Sequence, residues 1–371
     1  MTRHCIAVAA GGTGGHFFPA EALACELVRR GHDIILMTDR RAGTRRTGVF
    51  AGRQQFVLPG AGIAGRGVVR ATRAALALAR GTMQARGILA RLRPAAIIGF
   101  GGYPSVPPLL AGSLLPKGRR PLLFLHEGNA VLGKANAFLA GRMDGIATSF
   151  PVVAGVPARV PATETGMPVR RDIAALGGEG YVPSNGVINL LVWGGSLGAR
   201  VFSDVVPPAL AALPPALRAR VQVTQQARAE DVERVGTAYR EAGIPAIVAP
   251  FLSDVPERLH AAHLVIGRAG GSSVAELTVA GRPSLLVPLP IAARDEQGAN
   301  AQALVDAGAA WMIRQPRFTA ATLTERLVSL LADRDLLART AQAAARLGRP
   351  DAAARLADMI ESRLPDLPHA A

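Results

Sequence analysis

The feature that most constrains the fold is a pattern that occurs twice: an apolar run, a glycine-rich turn and the start of a helix. It reads CIAVAAGGTGGHFFPA at residues 5–20 and VINLLVWGGSLGAR at residues 187–200. Short apolar runs separated by helical stretches follow each copy, at 32–38, 95–100 and 121–127, then at 220–226, 246–251, 263–277 and 283–290. Buried strands alternating with helices are typical of parallel sheets. The sequence therefore predicts an α/β protein of two Rossmann-like halves, whose strand ends face each other across a ligand-binding cleft.

The predicted domain boundary lies in a segment rich in proline and glycine, residues 154–180. A chain of 371 residues is long for a single core, so two domains are expected. We place the first domain at residues 1–162 and the second at 163–349. An amphipathic helix at about 350–371 is expected to pack back on the first domain.

Charge and cysteine content narrow the function classes. The net charge is +15, almost all from arginine, which suits a phosphorylated substrate, an anionic membrane or nucleic acid. Two cysteines are too few for a disulfide framework, so a reducing compartment is expected. No secretory signal and no apolar run of about 18 residues is present, which predicts a soluble or membrane-surface protein.

The segment 65–94 predicts a basic amphipathic helix. Its arginines at helical spacing are Arg66, Arg70, Arg73 and Arg80, beside the apolar Val68, Val69, Leu76 and Met83. This pattern favours binding to an anionic membrane surface, to which each arginine contributes about 1 kcal/mol. The alternative is an ordinary packed helix with its arginines in water. Nucleic acid is disfavoured because no aromatic residues are interleaved with the charges.

Polar residues follow the glycine turns of the first half. The turn GGTGGH matches neither a Walker loop nor the dinucleotide-binding pattern, although Asp39 at the end of the second strand leaves a dehydrogenase open. His16 closes this turn, where it can exchange protons near neutral pH. A second turn, GFGGYPSVP, covers 99–107, and HEGN at 126–129 follows the next strand. These residues predict a site at the strand ends.

The second half predicts a nucleotide site. The turn at 193–200 would present backbone amides and Ser196 to a phosphate. In GRAGGSSVAE, Glu276 can accept ribose hydroxyls, while Gln297 and Asn300 suit sugar hydroxyls. The one D-x-D motif lies in a helical region at 333–335, so no carboxylate pair is available to hold a cation on a diphosphate. A metal-free mechanism without a cofactor is predicted.

Taken in order, these motifs together with TGMPVRRDI at 165–173 and DEQGAN at 295–300 resemble the MurG family of peptidoglycan N-acetylglucosaminyltransferases over nearly the whole chain. The resemblance implies a GT-B fold and a UDP-GlcNAc donor. It also implies inverting, metal-independent transfer of GlcNAc to the C4 hydroxyl of undecaprenyl-diphospho-MurNAc-pentapeptide, which converts lipid I to lipid II. The enzyme would be peripheral, on the cytoplasmic face of the inner membrane, without nucleic acid as a partner.

The resemblance also assigns residues, with His16 as the base and Glu127 next in line. The implied donor-binding residues are Thr13, Gly14, Gly15, Asn129, Arg170, Ser196, Leu252, Gly271, Ser272, Ser273, Val274, Glu276 and Gln297. The implied acceptor or membrane residues are Gly101, Gly102, Tyr103, Ser105, Arg66, Arg70, Arg73 and Arg80. Three positions depart from the family pattern: Gly128, Leu197 and Glu296.

Two other hypotheses remain. A UDP-GlcNAc 2-epimerase-like enzyme could use the same fold without needing a basic amphipathic helix. A nucleic-acid-binding or membrane-binding protein without catalysis would tolerate alanine around His16 and Glu276.

Overall fold

A computed structural model describes residues 3–11, 14–60, 68–195, 198–290 and 294–365, with the backbone alone for 68–71. The chain divides into two compact units, Met1–Arg170 together with Asp351–Ala371, and Arg171–Pro350. The first unit continues past the predicted boundary at 162. One reason is a short strand, Ala162–Glu164, which begins at that point and pairs with the first sheet.

The first unit contains a seven-stranded sheet in which every neighbouring pair is parallel. Its strands are β1 (Cys5–Ala9), β2 (Asp33–Thr38), β3 (Gln55–Val57), β4 (Ala96–Gly99), β5 (Leu122–Glu127), β6 (Gly145–Thr148) and β7 (Ala162–Glu164). The strand order is β3-β2-β1-β4-β5-β6-β7. The order therefore reverses between β1 and β4, the position where open α/β sheets bind ligands.

Helices cover both faces of this sheet. They are α1 (Gly14–Arg29), α2 (Val68–Leu92), α3 (Val106–Ser113) and α4 (Lys134–Ala140), with short 3-10 turns at Tyr103–Ser105 and Lys117–Arg119. Ile6 and Val8 of β1 pack on the α1 side, and Ala7 and Ala9 pack on the side of α2 and α3. Alternate residues thus face two different apolar clusters, which explains the continuous apolar run.

Helix α1 begins earlier than the sequence predicts. Pro19 suggests a first turn, yet the helix already begins at Gly14, so Pro19 lies inside it. The end is as expected: Gly31 adopts φ +92°, its N–H donates to Val28 and the next N–H donates to Leu27. These two bonds form a Schellman motif, which satisfies carbonyls at the helix end.

The second unit repeats the architecture with a six-stranded parallel sheet of order β10-β9-β8-β11-β12-β13. Its strands are β8 (Ile188–Trp193), β9 (Val221–Gln226), β10 (Ala246–Ala249), β11 (Leu264–Gly267), β12 (Ser284–Leu286) and β13 (Trp311–Met312). Its helices are α5 (Arg171–Ala174), α6 (Arg200–Ala211), α7 (Pro215–Arg218), α8 (Val232–Glu241), α9 (Val255–Ala261), α10 (Gly271–Val279), α11 (Glu296–Asp306), α12 (Ala320–Ala332) and α13 (Arg334–Leu347), with 3-10 turns at Ala229–Asp231 and Gln315–Arg317. Its order reverses between β8 and β11.

The last helix, α14 (Ala352–Glu361), belongs to the first unit and packs on α1. Leu356 and Ile360 are fully buried in the cluster beneath α1. Arg30 at the end of α1 donates from Nη1 to the Asp358 carboxylate at 2.6 Å and to the Glu361 carboxylate at 2.5 Å. Apolar burial and a partly buried ion pair together fix this helix.

Candidate active site

His16 lies at the reversal point of the first sheet. It occupies the first turn of α1, the helix that follows β1, and its ring packs on the turn that follows β4. A Cβ at Gly101 would stand 3.5 Å from Cε1 of His16, and one at Gly102 would stand 3.4 Å from Cδ2. Both glycines have positive φ, +84° and +67°, which favours glycine strongly. Two glycine turns therefore place one imidazole at the strand ends.

The surroundings of His16 favour a neutral imidazole. Burial lowers its pKa, while the Glu127 carboxylate and a hydrogen bond to the Phe100 carbonyl oppose that shift in part. A neutral imidazole that donates one N–H to the Phe100 carbonyl keeps a lone pair on the other nitrogen. His16 thus has the form that a general base needs at neutral pH.

Glu127 is held by four hydrogen bonds and is 2% exposed. Its Oε1 accepts from the backbone N–H and the Nδ2 of Asn129 at 3.0 and 2.9 Å. Its Oε2 accepts from the N–H of Gly133 and the Nδ2 of Asn136, both at 2.8 Å. This arrangement favours a positioning role, in which Glu127 orients Asn129 and the loop before α4. A catalytic role for Glu127 stays a prediction.

His126 is buried in the interior of the first unit, at the same end of the sheet. Its ring stacks on Phe100 with centroids 5.3 Å apart, and its Nε2 lies 3.0 Å from the Gly166 carbonyl. Burial lowers the pKa of His126 to about 4, with a further lowering from His16. His126 is therefore neutral at pH 7 and donates to Gly166, so its role is structural.

Two polar residues near the turns have structural partners. Ser105 is fully buried, and its one hydroxyl proton is shared between the carbonyls of Gly101 at 2.9 Å and Ala9 at 3.1 Å. This corrects the prediction that Ser105 contacts the acceptor, because its hydroxyl fixes the turn to β1 instead. Asp39 accepts from the Tyr103 hydroxyl and from the N–H of Ala42. The carboxylate that would hold a ribose in a dehydrogenase is thus engaged with the turn.

The other first-unit predictions fall near α1. Gly14 and Gly15 begin this helix, and the Arg170 guanidinium lies 5.4 Å from the ring centre of Phe18. Tyr103 is partly buried below Arg41, whose guanidinium lies 5.1 Å from its ring centre. Burial and the Asp39 carboxylate raise the pKa of Tyr103 to about 12. Tyr103 therefore stays protonated.

In the second unit, the turns after β8 and β11 begin at neighbouring strand ends. A Cβ at Gly194 would stand 2.5 Å from the backbone nitrogen of Ala199, so the turn can close only on glycine. A Cβ at Gly267 would stand 3.1 Å from the carbonyl oxygen of Trp193. Gly195 adopts φ +80°. Helix α6 begins only at Arg200, after this turn.

Helix α10 presents its first turn at this edge. Gly270 is its N-cap, and Gly271, Ser272 and Ser273 are partly buried. The first amides of a helix have no acceptor within the helix and favour an anion. Val274 and Glu276 lie deeper, at 4% and 6% exposure. That Gly271 to Val274 line the nucleotide stays a prediction.

Helix α11 places one predicted residue at the site and one inside the core. Gln297 accepts with Oε1 from the N–H of Leu289 at 3.0 Å, and its Nε2 lies 4.0 Å from the position of a Cβ at Gly270. Asn300 is fully buried and donates to the Ala269 carbonyl at 2.9 Å. That Asn300 binds sugar hydroxyls stays a prediction, and in this structure its amide supports the turn before α10.

Arg268 is a residue that the sequence-based assignment left out. Its Nη1 donates to the Val287 carbonyl at 2.9 Å, and its guanidinium lies 5.3 Å from the ring centre of Phe202. Burial lowers its pKa. Across the described ranges no carboxylate forms an ion pair with it. In the sequence, the signal that could have identified Arg268 is its position directly after β11.

Some predicted residues lie outside the described residues: Thr13, Ser196, Arg66 and the side chain of Arg70. Leu252 follows β10 and is 7% exposed.

Three positions depart from the family pattern, and one of them, Leu197, lies outside the described residues. Gly128 faces Met167, whose methyl carbon would stand 2.8 Å from a Cβ there. Glu296 opens α11.

The D-x-D motif caps a helix. Asp333 is the N-cap of α13 and accepts from the N–H of Leu336 at 2.8 Å, and Asp335 lies in the first turn. Both residues are exposed. The interpretation of this motif as a solvated helix terminus is confirmed.

Known proteins resemble the chain along its length. Residues 6–148 match the glycosyltransferase family 28 N-terminal domain, and residues 189–356 match the C-terminal domain of the same family. A relative from Gluconobacter oxydans is 61% identical over 97% of this chain and 98% of its own. It is named UDP-N-acetylglucosamine–N-acetylmuramyl-(pentapeptide) pyrophosphoryl-undecaprenol N-acetylglucosamine transferase.

Two solved structures separate the hypotheses. MurG of Acinetobacter baumannii superposes with a TM-score of 0.78 at 29% identity, covering 97% of this chain and 99% of that one. A putative UDP-N-acetylglucosamine 2-epimerase from Listeria monocytogenes has a TM-score of 0.64 at 14% identity, covering 99% and 98%. The epimerase shares the fold alone. With both family 28 domains and a relative at 61% identity, the chain belongs to the MurG family of glycosyltransferase family 28.

Proposed function

We propose that this chain transfers GlcNAc from UDP-GlcNAc to the C4 hydroxyl of undecaprenyl-diphospho-MurNAc-pentapeptide, with inversion and without a metal ion. The observation that carries the proposal is His16, a neutral imidazole with one nitrogen bonded to Phe100, standing where two glycine turns meet at the strand ends. Membership of the MurG family supports the identity of both substrates.

In this mechanism the free nitrogen of His16 takes the proton of the C4 hydroxyl. The oxygen attacks the anomeric carbon of the donor from the face opposite UDP, so a C–O bond forms as the bond to the phosphate oxygen breaks. The configuration inverts, UDP leaves with the bonding electrons, and the proton resides on His16. A positioned base of this type contributes about 10²–10⁴-fold.

Charge on the departing diphosphate is met by fixed donors. The first-turn amides of α10 and the Arg268 guanidinium supply them in the second unit. The resemblance adds Ser196 and Arg170. Preorganised donors stabilise the charge that develops in the transition state. Asp333 and Asp335 of the D-x-D motif serve as the N-cap and a first-turn residue of α13. This supports a mechanism in which amides and arginines, and not a cation, neutralise the diphosphate.

The remaining contacts follow from the same assignment. Glu276 binds ribose hydroxyls, backbone groups at Leu252 bind uracil, and Gln297 and Asn129 bind GlcNAc hydroxyls. In this assignment the second unit binds UDP, and the first unit supplies the acceptor site together with Asn129 and Arg170. The buried place of Glu276 beside the first turn of α10 supports this division.

This proposal is tested by transfer of labelled GlcNAc from UDP-GlcNAc to a lipid I analogue in excess EDTA. We expect full transfer without added divalent ions, and a product with the β configuration. Activity that returns only on adding a divalent ion would overturn the metal-free part. A folded, UDP-binding protein that transfers nothing but converts UDP-GlcNAc to UDP-ManNAc would favour the epimerase hypothesis.

Helix α2 supports a peripheral position on an anionic membrane. None of the helices in the described part of the chain is long and apolar enough to cross a bilayer. Leu76 and Met83 are 62% and 66% exposed and alternate along one stripe with the exposed Arg73 and Arg80. The opposite side of the helix, including Ala85 and Leu89, is buried in the core. An apolar stripe flanked by arginines fits the interface of an anionic leaflet.

Replacing Arg73 and Arg80 with glutamine is expected to weaken binding to anionic vesicles about 30-fold. Each arginine near such a surface contributes about 1 kcal/mol, and 1.36 kcal/mol corresponds to a factor of ten. Sedimentation with phosphatidylglycerol vesicles measures the partition. The matched control replaces the exposed Arg326 and Arg339 of the second unit, with the same change in net charge. Equal losses in both variants would contradict a specific surface on α2.

A further inference from the structure

The two phenylalanines after His16 have different surroundings. Phe17 is 4% exposed and packs in the core against Phe50, with ring centroids 5.8 Å apart. Phe18 is 41% exposed and lies outside that cluster. The core therefore accounts for Phe17 and not for Phe18.

The ring of Phe18 lies over the first turn of α1. Side chains in a helix point back toward its N-terminus, so residue 18 covers residue 14. A Cβ at Gly14 would stand 2.7 Å from Cε2 of Phe18, closer than carbon atoms can approach. Glycine at position 14 therefore leaves room for the ring at this place.

The same ring carries a cation. The Arg170 guanidinium carbon lies 5.4 Å from the ring centre of Phe18, within the range of a cation–π interaction. Arg170 is partly buried and ends the first unit, after the buried residues Met167 and Val169. The backbone is thus held by packing, and the ring holds the end of the side chain.

We propose that Phe18 is a positioning residue that holds the Arg170 guanidinium ready for the donor diphosphate. The inference rests on the proposed function for the role of Arg170. The ring face restricts the rotamers of the flexible arginine side chain and leaves the charge of the guanidinium in place for an anion.

The first test compares Phe18→Leu with Phe18→Trp. Leucine keeps an apolar side chain and removes the π face, so we expect KM for UDP-GlcNAc to rise about two- to fivefold, with a smaller change in kcat. This range corresponds to the 0.5–1 kcal/mol of an exposed cation–π pair. Tryptophan should restore KM. The matched control is Phe138→Leu, because Arg142 also lies 5.4 Å from the exposed Phe138 ring in the same unit.

The second test grades the π face without changing its size much. Mono-, di- and trifluorophenylalanine at position 18 should weaken UDP binding stepwise in calorimetry, and the trend should vanish in an Arg170→Gln background. Flat binding across the series, or an unchanged KM in Phe18→Leu, would overturn the inference while wild-type transfer still stands. A stepwise loss in a protein that binds UDP but transfers no GlcNAc would keep the inference and overturn the proposed function.

Discussion

Replacing His16 with alanine is expected to lower kcat for GlcNAc transfer about 10²–10⁴-fold, the contribution of a positioned general base. Binding of UDP should change little, because His16 packs on the turn of Gly101 and Gly102 in the first unit. Single-turnover transfer and calorimetry measure the two quantities separately. The control is His260→Ala, which removes an exposed histidine paired with Glu179 in the second unit and should leave kcat unchanged.

The pH profile identifies the titrating group. His16 accepts a proton only when neutral, so kcat/KM should fall as pH falls through its pKa. Burial lowers that pKa, so the midpoint should lie below 6.5. Burial also lowers the pKa of His126, to about 4, so the His16→Ala variant is needed to assign the transition. A residual activity of His16→Ala with the same acidic limb as the wild type would show that another group is the base.

The sequence predicted the central strands well because each is buried on both faces. Ile6 and Ala7 face different apolar clusters, so the run from Cys5 to Ala10 has no polar interruption. The short edge strands β3, β7 and β13 escaped prediction, and so did the inner four-residue strand β6. Two to four residues carry too little periodicity, and their pairing is set by the neighbouring strand.

The site was only partly predictable for a related reason. Polar residues at strand ends indicate a site, but a sequence does not show which of them satisfy buried backbone groups. Ser105 bonds to Ala9 and Asn300 to Ala269, each across a large separation in the chain. Arg268 shows the converse, a site candidate that the sequence-based assignment left out. In a sequence, an arginine after a strand looks like any solvent-exposed arginine, and only the structure shows that Arg268 is partly buried. In both cases the role of the residue depends on tertiary contacts that the sequence does not show.

Replacing Glu127 with glutamine is expected to lower the free energy of unfolding of the first unit by about 3 kcal/mol. The carboxylate accepts four hydrogen bonds, and the new amide nitrogen would face two of those donors. Hydrogen bonds to charged groups are worth about 1.5–3 kcal/mol each. Calorimetry should show a Tm lowered by roughly 6–12 °C. Glu241→Gln, at an exposed position of α8, is the control and should leave Tm unchanged.

The same variant separates the two roles assigned to Glu127. If Glu127 positions Asn129 and the loop before α4, Tm and transfer fall together, and the residual activity keeps the acidic limb set by His16. If Glu127 is the base, Tm falls as well, because the same four donors lose part of their acceptor, but the residual activity of Glu127→Gln no longer shows the acidic limb of the wild type. Loss of that limb would contradict a positioning role, since a residue that only orients Asn129 and the loop does not exchange the proton that the limb reports.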